Sequence, residues 1–278
     1  MPAALPLQTV HSFTWAREGA AAVLAAFAAC PTRPLRVSCS TSRAGAGAGA
    51  GLFSGRDDRA EHVLMTRGLF LEHFLAQGRD RFLGADDAAF YYLAQALVRR
   101  KCSVGGGGSV GGGGSVGSGS GSGNGSGGAC GGSDAAAELG DQGEDEDVEE
   151  LDDLQAHVPS WPWPPGAAPP LPLPPPRASS VQLWMSPSET ASSLHYDGDD
   201  NLLCVLSGRK RVALVAPEDA PRLRPPPEGH HCDADAHSGN NSWARVVEVR
   251  EGDVLAIPRG WWHSVWSDAG TIALNFWF

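Results

Sequence analysis

Two short stretches of this 278-residue chain hold residues whose types and spacing suit metal chemistry. In His195-Tyr196-Asp197 an imidazole and a carboxylate stand two residues apart. On a strand, residues i and i+2 leave the same face, so these two side chains point together and Tyr196 points away. Further on, residues 252–263 read GDVLAIPRGWWH. Gly-Asp opens a strand, Val254 to Ile257 run into a core, Pro-Arg-Gly turns the chain, and His263 starts the next strand. Two imidazoles and one carboxylate leave coordination positions open on one side of a ferrous ion, where a bidentate keto acid and dioxygen bind. His-x-Asp alone occurs on surface strands by chance; the two motifs together are the specific signal.

Lys210 is the third feature. Residues 201–206, the Ser207-Gly208 pair and residues 209–216 read as a hairpin about a tight turn. In its second strand Lys210 shares a face with Val212, Leu214 and Ala216. If that face lines a barrel interior, the ammonium needs an anion, because a buried unpaired charge is costly. The far carboxylate of a five-carbon keto diacid would supply one. The alternative is that Arg209, Lys210 and Arg211 form a solvated strand end.

The elements that must position these residues begin near residue 179. Segments 181–186, 192–197, 201–206, 209–216, 245–249, 253–258, 263–267 and 271–278 are short, strand-like and separated by turn signals. Many short strands without intervening helices read as a sandwich or barrel. Residues 217–244 interrupt them as a polar, Pro-rich loop. Upstream, the pattern predicts a helix over 19–30, a strand over 35–40, an Ala/Gly loop over 44–51 and a helix over 60–78. The last rests on the spacing of Leu64, Met65, Leu69, Phe70, Phe74 and Leu75. Residues 88–100 read as a short strand or a strand-to-helix passage. Residues 103–133 are almost pure Gly and Ser, and a Pro-rich stretch covers 159–176. Disorder is expected for 103–153, with Trp161 and Trp163 docking on the barrel. The division is therefore an N-terminal part at 1–102, an insert at 103–160 and a barrel core at 161–278.

The formal net charge of -11 belongs to one segment. Residues 134–153 carry eleven acids and no Lys or Arg, leaving 21 acids against 21 bases elsewhere. No global basic field points to nucleic acid, and the acidic run reads as solvated rather than as a binding tail. The six cysteines form no CxxC pair or disulfide framework, which suits a reducing compartment. Cys204 lies in an apolar run and is expected to pack as a small hydrophobe. No stretch suits a membrane span. Residues 19–30 imitate a signal-peptide core but lack a basic lead, and a helix is the reading here. A cytoplasmic or nuclear location follows as the default.

HYDGDDNLLCVLSGRKRVALVAP, EGDVLAIPRGWWHSV and ALNFWF resemble the JmjC (cupin-like) hydroxylases. The resemblance covers most of 179–278 and, more loosely, 35–100. It implies a mainly β fold, a double-stranded β-helix (jelly-roll or cupin) barrel with N-terminal helices and, here, the long Gly/acidic insert. It also implies Fe(II), 2-oxoglutarate and O2 as cofactor and co-substrates, with His195, Asp197 and His263 as iron ligands. Lys210, thirteen residues after Asp197, maps to the lysine that binds the far carboxylate. Ser192 maps to an assisting hydroxyl, Tyr92 (with Tyr91 adjacent) to an assisting phenol, and Asn201 and Asn275 to the pocket lining. Within the family the motifs look most like the tRNA wybutosine hydroxylases and the asparaginyl and lysyl protein hydroxylases. Aspartate as the second ligand favours hydroxylation over demethylation.

The resemblance thus implies a dioxygenase hydroxylating a macromolecule, tRNA or protein. The alternatives are a JmjC lysine demethylase, a metal-binding cupin without oxygenase activity, and a silent scaffold. Lys210 argues against the second alternative and the intact triad against the third. A homodimer is a further expectation, although the chain stops after the last barrel strand, where family members continue into a helical region. His230, His231, Cys232, Asp233, Asp235 and His237 match no zinc module and read as a solvated loop. Trp261, Trp262, Trp266 and Trp277 read as core aromatics rather than a substrate platform.

Overall fold

Apolar runs without alternation bury both faces of a strand, and this chain has several. The computed structural model describes residues 9–11, 15–40, 51–53, 61–76, 90–99, 151–158, 178, 180–225, 231–232 and 243–278, all in one compact unit. The N-terminal part contributes β1 (Thr9–His11), α1 (Ala16–Ala29), β2 (Pro34–Ser40), β3 (Gly51–Phe53), β4 (Glu61–Thr66), α2 (Arg67–Leu75) and β5 (Phe90–Arg99). A 3-10 helix at Asp152–His157 precedes β6 (Ser180–Ser186), β7 (Thr190–Ser192), β8 (Leu194–His195), β9 (Asn201–Ser207) and β10 (Arg209–Val215). A second 3-10 helix, Pro217–Leu223, leads to β11 (His231–Cys232), β12 (Arg245–Arg250), β13 (Asp253–Ile257), β14 (Trp262–Ser267) and β15 (Thr271–Trp277).

The strands form two sheets of a double-stranded β-helix. The larger runs β1-β13-β9-β15-β6-β5-β2-β4; the smaller runs β11-β8-β14-β10-β12, with β7 and β3 attached at β14. Leu203, Val205, Leu255, Ile257 and Ala273 of the larger sheet meet Val212, Leu214 and Val249 of the smaller one between the layers. The alternate residues Leu202, Cys204, Leu206, Leu274 and Phe276 face outward, where Val23 and Phe27 of α1 and Phe70 of α2 cover them. Each such side chain contributes about 1.5–3 kcal/mol on burial. Cys204 packs there as a small hydrophobe.

Three expectations need correction. First, β9 and β10 are not a hairpin: β9 pairs with β13 and β15, whereas β10 pairs with β12 and β14. The turn at Gly208, with φ +81°, carries the chain from one sheet to the other. A Cβ there would meet Thr271 Oγ1 at 2.6 Å, and that hydroxyl accepts from Arg209 N at 3.3 Å. The face assigned to Lys210 survives, because strand period does not depend on the partner. Second, residues 60–78 are not one helix. Residues 61–66 pair with β2 as an edge strand, on which Leu64 is 79% exposed. Thr66 caps α2, its side chain accepting from Leu69 N at 3.3 Å. Third, the loop at 217–244 contains the 3-10 helix and β11. Within the 88–100 segment, Phe90–Arg99 form the strand β5.

Leu151, Leu154 and Val158, placed in the insert by composition, are buried against α1 and β5. Asp153 between them accepts from the fully buried Arg67, Nη1 to Oδ2 at 2.6 Å and Nη2 to Oδ1 at 3.1 Å, and from Arg33 at 3.2 Å. Hydrogen bonding to Arg67 holds the Asp153 carboxyl below its ordinary value despite partial burial. Its contribution is therefore present above about pH 4 and is lost as pH falls through the lowered pKa. Asp153→Ala leaves Arg67 buried without its anion and should cost about 3 kcal/mol in a urea unfolding series. Residues 103–150, Trp161 and Trp163 lie outside the described residues.

Candidate metal centre

The smaller sheet positions the ligands. β8 lies between β11 and β14, with His195 directly opposite His263. Directly opposed residues share a face, so both imidazoles point inward. Asp197 follows just beyond β8, and its carbonyl accepts from Gly260 N at 2.9 Å. Asp200 Oδ1 accepts from Arg259 N at 3.0 Å. The Pro-Arg-Gly turn is thus clamped to the Asp197 loop, and Gly260, at φ +76°, occupies a left-handed position that favours glycine.

One atom each of His195, Asp197 and His263 lie within 4.8 Å of one another. The two rings have centroids 4.3 Å apart, and His263 Nε2 is 3.2 Å from Asp197 Oδ2. His195 Nδ1 donates to the Ser193 carbonyl at 2.8 Å, and His263 Nδ1 donates to the Trp261 carbonyl at 3.0 Å. A carbonyl only accepts, so each proton sits on Nδ1 and each Nε2 lone pair faces the cluster. Burial, with His263 alongside, pushes His195 down to about 3, which keeps it neutral as a ligand must be. The donor set therefore fits a divalent ion with nitrogen and oxygen ligands.

Behind the cluster lies a cavity with about 500 Å³ between its walls, open solvent at its mouth included. Lys210 reaches it while only 2% exposed. Its Nζ donates to Ser267 Oγ at 2.7 Å and stands 5.9 Å from the Tyr92 ring centre. Burial pulls the ammonium down to about 7. The Tyr92 phenol is pushed well up by burial, partly offset by its hydrogen bond to Ser267. Asn201 Oδ1, Asn275 Oδ1 and Trp184 Nε1 are buried without a hydrogen-bond partner among the described residues, and all three residues line the cavity. Each such group costs about 1–3 kcal/mol unless a ligand satisfies it. The Trp184 Nε1–H and the Lys210 ammonium are donors that suit an anion, whereas the two amide oxygens each call for a donor.

All eight residues singled out in the sequence line this cavity. Ser192 lines the cavity while its Oγ accepts from Val265 N at 2.9 Å, and Ser267 stands beside Lys210. Tyr92 rather than Tyr91 faces inward; Tyr91 packs edge-on against His73 at 5.0 Å. Ser267 and Trp184 were missed. Strand period carried a signal for Ser267, which follows His263 and Val265 at two-residue steps. Of the four tryptophans, Trp262 is core, Trp261 packs against the inter-sheet layer, Trp266 lies under Arg211, and Trp277 lines the cavity mouth. The reading of 230–237 as a solvated loop fails at His231 and Cys232, which pair with β8; the other residues of that cluster lie outside the described ones.

A double-stranded β-helix that gathers two histidines and a carboxylate beside a pocket defines a cupin-type domain with a candidate metal site. The chain belongs to the cupin-like domain family, whose sequence profile matches residues 130–278. It is 39% identical over 114 residues to lysine-specific demethylase JMJ31 of Arabidopsis thaliana, covering 36% of this chain and 21% of that protein. It is 29% identical over 159 residues to the human bifunctional peptidase and (3S)-lysyl hydroxylase JMJD7, covering 46% and 48%. Against tRNA wybutosine-synthesizing protein 5 of Gallus gallus it is 34% identical over 108 residues, covering 36% and 31%. The chain thus spans between a fifth and about half of these relatives. JmjC relatives are typically 2-oxoglutarate oxygenases. None of the four described cysteines is in a disulfide, and no helix among the described residues is long and apolar enough to cross a membrane.

Proposed function

We propose that the chain is an iron(II)- and 2-oxoglutarate-dependent hydroxylase acting on a macromolecule, a protein side chain or a tRNA base. His195, Asp197 and His263 would hold the metal through Nε2, a carboxylate oxygen and Nε2. The bound metal and co-substrates supply the oxidation: one oxygen atom of O2 enters a substrate C–H bond, and the other converts 2-oxoglutarate to succinate and carbon dioxide. The protein's own residues do the rest. Lys210 receives the far carboxylate, with Ser267 and Tyr92 fixing its Nζ. Asn201, Asn275 and Trp184 orient the chain of the diacid. Leu203, Ile257 and Val265 keep water from the cavity wall. The backbone carbonyls of Ser193 and Trp261 hold both imidazoles in the ligating tautomer.

One observation carries this reading: a three-ligand cluster opens onto a cavity lined by a buried lysine that donates to a neutral hydroxyl and has no carboxylate partner among the described residues. A cupin with another activity has no use for that cation. The test is succinate formation from 2-oxoglutarate with added iron(II), followed by mass spectrometry of peptide and tRNA pools for one added oxygen. Iron-dependent succinate is the expected result; its absence from the wild-type protein defeats the proposal. The 39% identical demethylase relative favours a second reading, in which the same oxidation falls on an N-methyl carbon. Formaldehyde release from methyl-lysine peptides distinguishes it.

A further inference from the structure

Three histidines stand in one row across the smaller sheet. His231 on β11 is opposite His195 on β8, which is opposite His263 on β14. Directly opposed residues share a face, so all three rings lie on the cavity side. The His231 and His195 rings are nearly parallel, at 24° with centroids 5.5 Å apart. His231 Nδ1 is also 3.4 Å from Ser193 Oγ, and the carbonyl of the same serine fixes His195 Nδ1. His231 is not part of the three-residue ligand cluster. A ligand ring gripped at one nitrogen still rotates about that hydrogen bond unless something packs against its face. Here His263 flanks one side and His231 the other.

The geometry points to His231 as a positioning residue that acts through His195: its ring clamps the imidazole so that Nε2 stays aimed at the metal. This rests on the metal-centre reading above. The clamp is steric, so an aromatic ring suffices and a proton is not required. Loss of an outer partner of a metal-bound histidine typically costs 10–100-fold in metal affinity.

The test is a Co(II) titration followed by visible absorption, with His195→Ala as the blank. His231→Ala and His231→Gln remove the ring, and the glutamine keeps a polar group near Ser193. Both should weaken Co(II) binding about 10- to 100-fold and alter the spectrum, while His231→Phe recovers most of the affinity and the wild-type spectrum. Thermal melts of the metal-free proteins check folding; if His231→Ala unfolds, Gln against Phe decides. Wild-type affinity and spectrum in His231→Gln overturn the inference, and so does a Phe variant as weak as Gln. A wild-type titration indistinguishable from the blank overturns the metal-centre reading and this inference with it.

Discussion

Asp197→Ala should abolish iron-dependent succinate formation while leaving the fold intact. Asp197 is the one anionic member of the cluster, and its side chain is 26% exposed at the end of β8. Little packing is lost on truncation, and its backbone link to Gly260 survives. What disappears is the charge that a divalent ion needs beside two neutral imidazoles. The loss of metal affinity should exceed the roughly 100-fold that follows removal of an outer partner. Ligand-linked stability provides a readout independent of turnover. A metal at 100 times its dissociation constant stabilises the folded state by about 2.7 kcal/mol. Co(II) should therefore raise the wild-type melting temperature, EDTA should reverse the rise, and Asp197→Ala should show neither effect. Asp197→Asn, similar in size but uncharged, should behave like the alanine variant. A melting shift that persists in both variants would falsify the assignment.

The reach of the sequence differs between the ligands and the scaffold, for physical reasons. Strand period is local, so the common face of His195 and Asp197, and the inward face of Lys210, follow from position alone. The turn chemistry at Pro258-Arg259-Gly260 is local too, and it placed His263 at the start of β14. Sheet membership is a tertiary property. Nothing local in residues 201–216 says that β9 and β10 enter different layers, although the unbroken apolar run of β9 reports cover on both faces. Residues 61–66 show the converse failure. Their apolar spacing fits a helix, but pairing with β2 overrides it and the Thr66 cap sets the true start of α2. β11 has only two residues, too few for periodicity, so the sequence reads His231 as part of a solvated loop, whereas its register places it opposite His195. Leu151 and Leu154 were masked by their acidic surroundings, in which Asp153 serves Arg67 rather than solvent.

Lys210→Met should move stability and co-substrate affinity in opposite directions. Methionine keeps much of the apolar stem and removes the ammonium. In the ligand-free protein that ammonium is 2% exposed and donates to a neutral hydroxyl, so its removal relieves desolvation and should leave stability unchanged or raised. With 2-oxoglutarate the sign reverses. Truncating one partner of a buried charge pair costs about 2–5 kcal/mol, so the 2-oxoglutarate requirement should rise by roughly 30-fold or more. Acidity gives a second signature. Burial lowers Lys210 from 10.5 to about 7 in the folded state. Across that window the unfolded chain holds a proton that the folded chain lacks, so ligand-free stability falls as pH falls, by up to about 1.4 kcal/mol per pH unit, and levels off below 7. Binding the diacid restores the charge. Above pH 7 it must therefore draw in a proton, and its affinity should drop by up to about tenfold per pH unit. Calorimetry in two buffers of different ionisation enthalpy measures that uptake directly: near zero at pH 6, approaching one proton above pH 8, and absent at both in Lys210→Met. No uptake by the wild-type protein above pH 8 would mean that the carboxylate is held elsewhere.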